Sequence, residues 1–228
     1  MIEVRDMTLM TPGLRHRRVI LSGASFRVAP GDRLGILAAP GSGKSTLARV
    51  LSGIDRPDGG SVRRQGRVSW PIGFAGFLHP ELTVAENLAT LARLVGLSAR
   101  DVTGFCTEFT GIAGLAGRRM KTLTPTQRAT LAYACALCVP GPATWIADEV
   151  ISVGEPHHRR LCDRILAERL DEGALVFLSR NARQLKIWCD RFMVLIAGRL
   201  VPCDDLDVAQ QALELEAASR LAEGRGAA

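Results

Sequence analysis

Residues 34–53 constrain the fold more than any other part of the chain. An apolar run at 34–37 gives way to the small residues Ala-Ala-Pro-Gly-Ser-Gly and then to Lys-Ser-Thr, after which apolar residues recur at helical spacing as far as Gly53. Glycine commonly follows the last residue of a helix, because it adopts the left-handed backbone conformation without strain. The segment therefore predicts a strand, a tight loop and a helix in immediate succession.

The loop in this segment has the composition of a phosphate-binding loop. Residues 38–46 match the pattern G-x-x-x-x-G-K-[ST] at every defined position except the first, where Ala38 replaces glycine. Glycines let backbone N–H groups curl around phosphate oxygens, and the start of the helix adds the positive end of its dipole. A glycine–serine turn before a basic helix is the alternative interpretation. The predicted nucleotide-binding residues are Ala38, Ala39, Pro40, Gly41, Ser42, Gly43, Lys44, Ser45 and Thr46.

Three of these residues carry specific expectations. Lys44 is expected to reach the β- and γ-phosphates of a nucleotide, and the Ser45 hydroxyl is expected to ligate Mg²⁺. Ala38 is compatible with such a loop, because its methyl group causes strain only if the backbone needs a positive φ there.

A second apolar strand ends in two carboxylates. Residues 143–147 form the strand pattern, and Asp148 and Glu149 follow directly. In a phosphate-loop protein, Asp148 is the predicted carboxylate of the Mg²⁺ site, in its second coordination shell, and Glu149 is the candidate base that orients or deprotonates a water molecule. The alternative is a pair of acidic residues that merely ends a strand.

Composition narrows the class of protein. The chain has 228 residues, 47% of them hydrophobic, and no run close to the roughly 18 uninterrupted apolar residues of a membrane helix. Residues 1–6 do not read as a signal peptide, so a soluble cytoplasmic protein is expected. The arginines behind the net charge of +6 are dispersed, without interleaved aromatic residues, which argues against a nucleic-acid partner. Cys135 and Cys138 lie in an apolar helical run and are predicted to be buried, reduced thiols rather than a metal or redox site.

The other strands and helices are predicted from alternation, helical spacing and capping residues. Strands are expected over residues 1–9 and 19–28, before the loop, and a hairpin-like pair of strands over 61–64 and 67–70. Thr83 and Glu86 have capping-box spacing at the start of a helix that runs to Gly96. Further helices are predicted near 98–109, 156–171, 181–188 and 208–221, with strands at 174–179 and 192–196.

One helix start has an unusually complete set of signals. Thr124 is the predicted N-cap, Pro125 takes the first helical position, and Gln127 completes a capping box. The segment at 140–142, Pro-Gly-Pro, ends this helix just before the strand that carries Asp148.

The order of these motifs resembles the ATP-binding subunit of ABC transporters over nearly the whole chain. Within that superfamily, residues 53–60, 68–73, 79–87 and 148–154 are similar to the branch that exports capsular polysaccharide and O-antigen. The resemblance implies an α/β fold with a phosphate-loop NTPase (RecA-like) core, an antiparallel β subdomain and an inserted helical subdomain. The expected boundaries are 1–77 and 141–205 for the core, 78–140 for the helical subdomain, and 206–228 for the C-terminal helix and tail.

The same resemblance implies ligands and partners. The expected ligands are ATP and Mg²⁺, held in a head-to-tail homodimer that sandwiches two ATP molecules. In that family, two such subunits drive membrane-spanning permease subunits that move a lipid-linked polysaccharide out of the cytoplasm. The chain would then sit peripherally on the cytoplasmic face of the inner (cell) membrane, and no nucleic-acid partner is expected.

Several positions depart from the family pattern. The signature motif, normally Leu-Ser-Gly-Gly-Gln, reads Leu-Thr-Pro-Thr-Gln at 123–127, so Thr124 and Gln127 are the residues expected to face the partner's ATP. Pro125 removes one N–H from that helix start. Gly73 or a neighbour stands at the Q-loop position, and Arg180 stands where the switch histidine is usual.

No aromatic residue precedes Phe26, so the usual ring that stacks on adenine is absent. His16 and an adjacent arginine are the only planar substitutes in that region.

These departures leave three functional hypotheses. The leading one is an ABC-type motor subunit, in which Glu149, Lys44 and Arg180 are the predicted catalytic residues. The second is a nucleotide-binding subunit that hydrolyses slowly and has a structural or regulatory role. The third, a small-molecule phosphotransferase, has less support, because nothing suggests a lid or an acceptor pocket.

Overall fold

The computed structural model describes residues 1–11, 17–111, 113–149, 156–171 and 173–225. The strands are β1 (Ile2–Met10), β2 (Val19–Val28), β3 (Arg33–Ala38), β4 (Gly59–Arg64), β5 (Arg67–Ile72), β6 (Pro142–Asp148), β7 (Ala174–Ser179), β8 (Arg191–Ile196) and β9 (Arg199–Pro202). The α-helices are α1 (Lys44–Ser52), α2 (Val84–Val95), α3 (Ala99–Thr110), α4 (Pro125–Cys138), α5 (Pro156–Leu170), α6 (Ala182–Trp188) and α7 (Leu206–Arg225). Short 3-10 turns occupy Ala113–Leu115 and Met120–Thr122.

The strands form two sheets. A three-stranded antiparallel sheet has the order β2-β1-β4, and a six-stranded sheet has the order β5-β6-β7-β3-β8-β9. The larger sheet is parallel from β5 to β8 and ends with antiparallel β9. This is the predicted α/β arrangement, with an antiparallel β unit beside a mainly parallel sheet.

The large sheet separates two hydrophobic cores. Leu34 and Ile36 of β3 face the core that contains α1 and the antiparallel sheet, whereas Leu37 faces the core shared with α2, α3, α4 and α6. Successive side chains of a strand point to opposite faces, and central parallel strands are buried on both, so the continuous apolar runs of β3 and β7 are what this position requires. All six residues of β7 are buried.

The two strands predicted as a hairpin-like pair do not pair with each other. β4 is hydrogen-bonded to β1 in the small sheet, and β5 is hydrogen-bonded to β6 in the large one. The chain crosses between the sheets at Gly66, whose φ is 82°. Arg64, the last residue of β4, donates from Nε to the carbonyl oxygen of Leu51 at 2.8 Å, which ties β4 to the end of α1. The prediction of two strands was right, but the prediction that they form a hairpin was wrong.

The helical segment between β5 and β6 begins its helices as predicted. At the start of α2, the Glu86 N–H donates to Thr83 Oγ1 at 3.2 Å and the Thr83 N–H donates to Glu86 Oε2 at 2.7 Å. The α3 and α4 helices pack through stacked rings, with 5.8 Å between the ring centroids of Phe109 and Tyr133. Cys135 is buried as a free thiol, as predicted.

Within the described ranges, no helix is both long and apolar enough to cross a membrane. No group of three or more histidine, cysteine, aspartate or glutamate residues in those ranges could hold a metal ion. Cys138, which was predicted to be buried with Cys135, is only partly buried.

Candidate nucleotide-binding site

The predicted loop lies at the carboxyl end of the central strand. Gly41 and Gly43 have φ values of 72° and 98°, a conformation that favours glycine. A Cβ atom on Gly43 would lie 2.2 Å from Ile20 Cγ2, so both backbone conformation and space require glycine at 43. Ala38, the last residue of β3, is not among the described residues with positive φ, which explains why a methyl group is tolerated there.

The Lys44 ammonium connects this loop to the neighbouring strand end. Nζ donates to the carbonyl oxygens of Ala38 at 3.2 Å and Ala39 at 2.9 Å, and it lies 3.0 Å from Glu149 Oε1. The Lys44 side chain is only 7% exposed. An ammonium has three N–H donors, so these partners satisfy the charge in the absence of a ligand.

Glu149 is held in an uncommon conformation. Its φ is 60°, in the left-handed region, and its N–H donates to the carbonyl oxygen of Leu178 at 2.8 Å. Its Oε2 accepts hydrogen bonds from Ser179 Oγ at 3.3 Å and from the Arg180 N–H at 3.2 Å. Such a backbone conformation costs a non-glycine residue about 1–3 kcal/mol and persists only where the surroundings determine it, so strain and hydrogen bonding together aim this carboxylate at Lys44.

Strand register explains why these groups meet. β3 and β6 flank β7, with Leu37 opposite Ser179 and Asp148 opposite Leu178. The carboxyl ends of adjacent parallel strands lie at one edge of a sheet, the usual ligand-binding edge of α/β folds. Lys44, Asp148 and Ser179 therefore converge there although they are distant in sequence.

The carboxylate of Asp148 lies beside Ser45 at the predicted Mg²⁺ site. Burial raises the pKa of its carboxyl, a hydrogen bond with Ser45 lowers it, the charge of Glu149 raises it, and the charge of Lys44 lowers it. The buried Oδ1 atom has no hydrogen-bond partner. Mg²⁺ prefers oxygen ligands, and an orphaned carboxylate oxygen beside a hydroxyl fits that preference.

A cavity of about 250 Å³ opens beside this pair. Its walls place Gly73, the predicted Q-loop position, next to Ser45 and Asp148. They also include two residues that the sequence analysis did not identify, Phe74 and Arg49. Ser179 is a third missed residue. Its position at the end of a buried strand that follows the Asp-Glu strand was the available signal.

Arg180 reaches the site through its backbone. Its N–H binds Glu149, while its exposed side chain lines a polar cavity between α6 and α7. The two signature residues hydrogen-bond each other at the start of α4: the Gln127 N–H donates to Thr124 Oγ1 at 3.2 Å, and the Thr124 N–H donates to Gln127 Oε1 at 2.9 Å. Among the described hydrogen bonds, none joins Thr124 or Gln127 to Lys44.

The region considered for base binding is only partly described. His16 lies outside the described residues. Arg17 forms an ion pair with Asp58, whose other oxygen accepts the Met10 N–H at 2.7 Å. Thr46 and Arg17 line the same cavity of about 390 Å³, so the end of the phosphate loop and this basic residue border one space. A role for Arg17 at a base remains a prediction.

The fold and the site define an α/β nucleotide-binding protein with a phosphate loop, and comparison with known proteins narrows this to one family. The ABC transporter family profile matches residues 21–152. The capsule polysaccharide export ATP-binding protein CtrD of Neisseria meningitidis serogroup B is 31% identical over 85% of this chain and 89% of its own length. ATP-binding protein BexA of Haemophilus influenzae gives the same figures. The chain belongs to the ABC transporter family.

Solved structures agree with the fold. The ATP-binding cassette MJ0796, in a dimeric post-hydrolysis state with ADP and Pi, has a TM-score of 0.72 at 17% identity, covering 88% of this chain and 96% of its own. A structure of an ATP-binding subunit of an ABC transporter has a TM-score of 0.72 at 21% identity, covering 93% of both chains. The predicted fold class is thereby confirmed, and the family is one of ATP-binding, ATP-hydrolysing transporter domains.

Lys44→Ala tests the phosphate loop. The variant removes a buried cation, and loss of a charge-assisted contact with phosphate should weaken ATP binding by about 1.5–3 kcal/mol, roughly 10- to 100-fold in Kd. Titration calorimetry with ATP and Mg²⁺ measures this. Lys121→Ala is the control, because that ammonium is exposed and pairs with Glu81 at 2.8 Å. Equal affinity in the two variants would contradict the assignment of the loop.

Asp148→Asn tests the buried carboxylate without nucleotide. Burial raises the folded-state pKa of Asp148, so the free energy of unfolding should fall as the pH rises from the ordinary aspartate pKa to the raised one. Above the raised pKa, the full cost of a buried charged carboxylate is present. In EDTA, the variant should therefore unfold at a higher temperature than wild type near neutral pH, and the difference should shrink as the pH falls and disappear by about pH 4. Differential scanning calorimetry measures both midpoints.

The same variant should lose the extra stabilisation that Mg²⁺ gives in the presence of ATP. Asp190→Asn, at an exposed aspartate, is the control and should change neither property. A variant that is less stable than wild type at every pH would show that Asp148 has a structural role instead.

Proposed function

We propose that this chain is the Mg²⁺-dependent ATPase subunit that powers an exporter of a capsular or lipopolysaccharide-type polysaccharide. The observation that carries the proposal is the 3.0 Å contact between Lys44 Nζ and Glu149 Oε1 beside the Ser45–Asp148 pair. A phosphate-binding cation, a carboxylate base and a cation-binding carboxylate thus occupy one edge of the sheet. Phosphoryl transfer to water needs these three elements.

Each residue has a role in this proposal. The loop N–H groups at 41–45 and Lys44 bind the phosphates of ATP, and Ser45 with Asp148 would hold Mg²⁺. Bound Mg²⁺ would neutralise charge that develops on the phosphate oxygens. Glu149 orients the attacking water and accepts its proton, since its carboxylate is fixed by Ser179 and the Arg180 N–H.

The start of α4 is the surface through which this chain would form a head-to-tail homodimer. In a monomer, Thr124 and Gln127 bond each other at the start of α4. A second copy would bring the start of its α4 to the phosphates bound by the first, where the positive helix dipole end favours an anion. The dimeric state named for MJ0796 agrees with this arrangement.

The cargo and the membrane partner are inferred from relatives. The names of CtrD and of the Escherichia coli polysialic acid transport protein KpsT, 29% identical over 83% of this chain, describe capsule polysaccharide export and polysialic acid transport. By analogy, we place this chain at the cytoplasmic face of the membrane, bound to a membrane-spanning permease subunit.

A second function, nucleotide binding with impaired hydrolysis, is favoured by two observations. The Arg180 side chain lines the α6–α7 cavity, and only its backbone contacts Glu149. Pro125 has no N–H, and the Gln127 N–H is already bonded, which leaves Thr126 as the first-turn donor for a ligand. Single-turnover hydrolysis at saturating ATP separates the two functions.

Glu149→Gln and Arg180→Ala should separate chemistry from dimerisation. Glu149→Gln removes the proton acceptor but keeps the shape, so hydrolysis should fall by at least about 100-fold while ATP-dependent dimerisation persists. Arg180→Ala removes a permanent cation suited to phosphate oxygens, so dimerisation should weaken as well. ATPase rates and light scattering with and without ATP give both readouts. Arg183 lines the same cavity, so Arg183→Ala is the control. If Arg180→Ala dimerises with ATP as well as wild type does, Arg180 is only a surface residue.

Export can be measured in cells that lack this chain. Such cells should accumulate the polysaccharide internally. Expression of the wild-type chain should restore polysaccharide to the cell surface, whereas expression of Glu149→Gln should not, even where the variant protein is present. Lys121→Ala should restore export as wild type does. An unchanged amount of surface polysaccharide in the deletion strain would refute the proposal that this chain powers polysaccharide export. The ATPase proposal would still be decided by the hydrolysis measurements.

A further inference from the structure

The C-terminal helix α7 contacts the segment that holds Glu149. Its residues Leu206, Ala209 and Leu213 recur at helical spacing and are buried against the main core. Gln210 follows Ala209 and extends its side chain to the first residue of α6, where its Oε1 accepts the Ala182 N–H at 3.1 Å. A helix outside the predicted ATP-binding core therefore reaches the neighbourhood of the site.

Three consecutive N–H groups in this segment bind side chains from different elements. The Arg180 N–H donates to Glu149 Oε2 at 3.2 Å, the Asn181 N–H to Ser179 Oγ at 3.1 Å, and the Ala182 N–H to Gln210. Ser179 Oγ itself contacts Glu149. Of these acceptors, Gln210 alone belongs to α7, and its donor, Ala182, lies two residues along the chain from Arg180, whose N–H binds the Glu149 carboxylate.

Loss of this contact would leave the Ala182 N–H without its protein acceptor. Ala182 is 3% exposed, although the hydrogen bond itself is only partly buried and lies beside the α6–α7 cavity. A buried N–H without an acceptor carries a desolvation penalty, which the chain relieves by moving. Movement at Ala182 is transmitted through two peptide units to the Arg180 N–H, and the position of the Glu149 carboxylate depends on that N–H.

We propose that Gln210 is a positioning residue for the hydrolytic site: its amide oxygen fixes the segment at 179–182 so that Arg180 and Ser179 keep Glu149 aimed at the site. Gln210 itself touches neither nucleotide nor water in this proposal. The consequence for turnover rests on the proposed ATPase function, whereas the consequence for the segment's order does not.

The chain offers a matched pair of glutamines for the test. Gln210→Ala deletes the acceptor, and Gln211→Ala truncates an exposed neighbour that lines the same cavity. Gln210 Nε2 also donates to Glu214 Oε1 at 3.4 Å, so the rescue is Gln210→Glu combined with Glu214→Gln, which keeps an acceptor oxygen at 210 without facing two carboxylates. Hydrogen exchange resolved by mass spectrometry measures the peptide covering 179–184. Steady-state kinetics with ATP and Mg²⁺ measures kcat and KM separately.

Gln210→Ala should speed exchange in this peptide by about fivefold and lower kcat by about five- to tenfold, with KM for ATP unchanged within about twofold. The double variant Gln210→Glu, Glu214→Gln should restore both values to near wild type, and Gln211→Ala should change neither. Thermal midpoints of all three variants check that the fold is intact. A change in midpoint without the kcat effect would indicate a purely structural contact and overturn the proposal.

The two readouts keep this inference separate from the proposed function. If wild type hydrolyses no ATP, the ATPase proposal fails, and exchange alone decides the role of Gln210. Unchanged exchange in Gln210→Ala overturns the positioning role whether or not wild type is active. Equal effects of Gln210→Ala and Gln211→Ala would overturn it as well, because they would point to general loosening of α7.

Discussion

The buried Lys44 ammonium determines how the rest of the site is arranged. A cation that is 7% exposed must have acceptors close by, and it finds them in the carbonyl groups of Ala38 and Ala39 and in Glu149. The carbonyl groups belong to the loop, whereas Glu149 comes from the end of β6. One ammonium thus joins the predicted phosphate loop to the carboxylate proposed as the base, and a phosphate oxygen that bound Lys44 would have to share or displace the Glu149 contact.

Local rules account for the parts of this structure that the sequence predicted well. The loop at 38–46 was predictable because Gly41 and Gly43 are needed for backbone reasons that lie within the loop. The starts of α2 and α4 were predictable because a capping box involves residues three positions apart. The pairing of β4 and β5 was not, because each strand finds its partner in a distant segment and nothing at Gly66 specifies a crossing between sheets.

The residues of the candidate site divide in the same way, into those predictable from a local sequence motif and those that depend on tertiary contacts. Lys44, Ser45, Asp148 and Glu149 could be named from spacing, because each sits beside its motif. Phe74 and Gln210 could not, since they reach the site through the tertiary packing of distant segments, and Ser179 offered only its position at the end of a buried strand. The left-handed backbone of Glu149 also escapes any sequence pattern, because only the surrounding hydrogen bonds make that conformation acceptable there.

The start of α4 shows how stabilising a helix can compete with binding a ligand. Thr124 and Gln127 satisfy each other's N–H groups, and Pro125 brings a preset helical φ, so the helix is well capped in the isolated chain. Each of these features also removes a donor that an anion could use, leaving the Thr126 N–H and the helix dipole. Contact with a nucleotide across a dimer would therefore draw on electrostatic attraction more than on direct hydrogen bonds. In such a dimer, water and phosphate would be positioned mainly by the chain that supplies the phosphate loop. In that chain, Lys44, Glu149 and the segment at 179–182 hold one another in place.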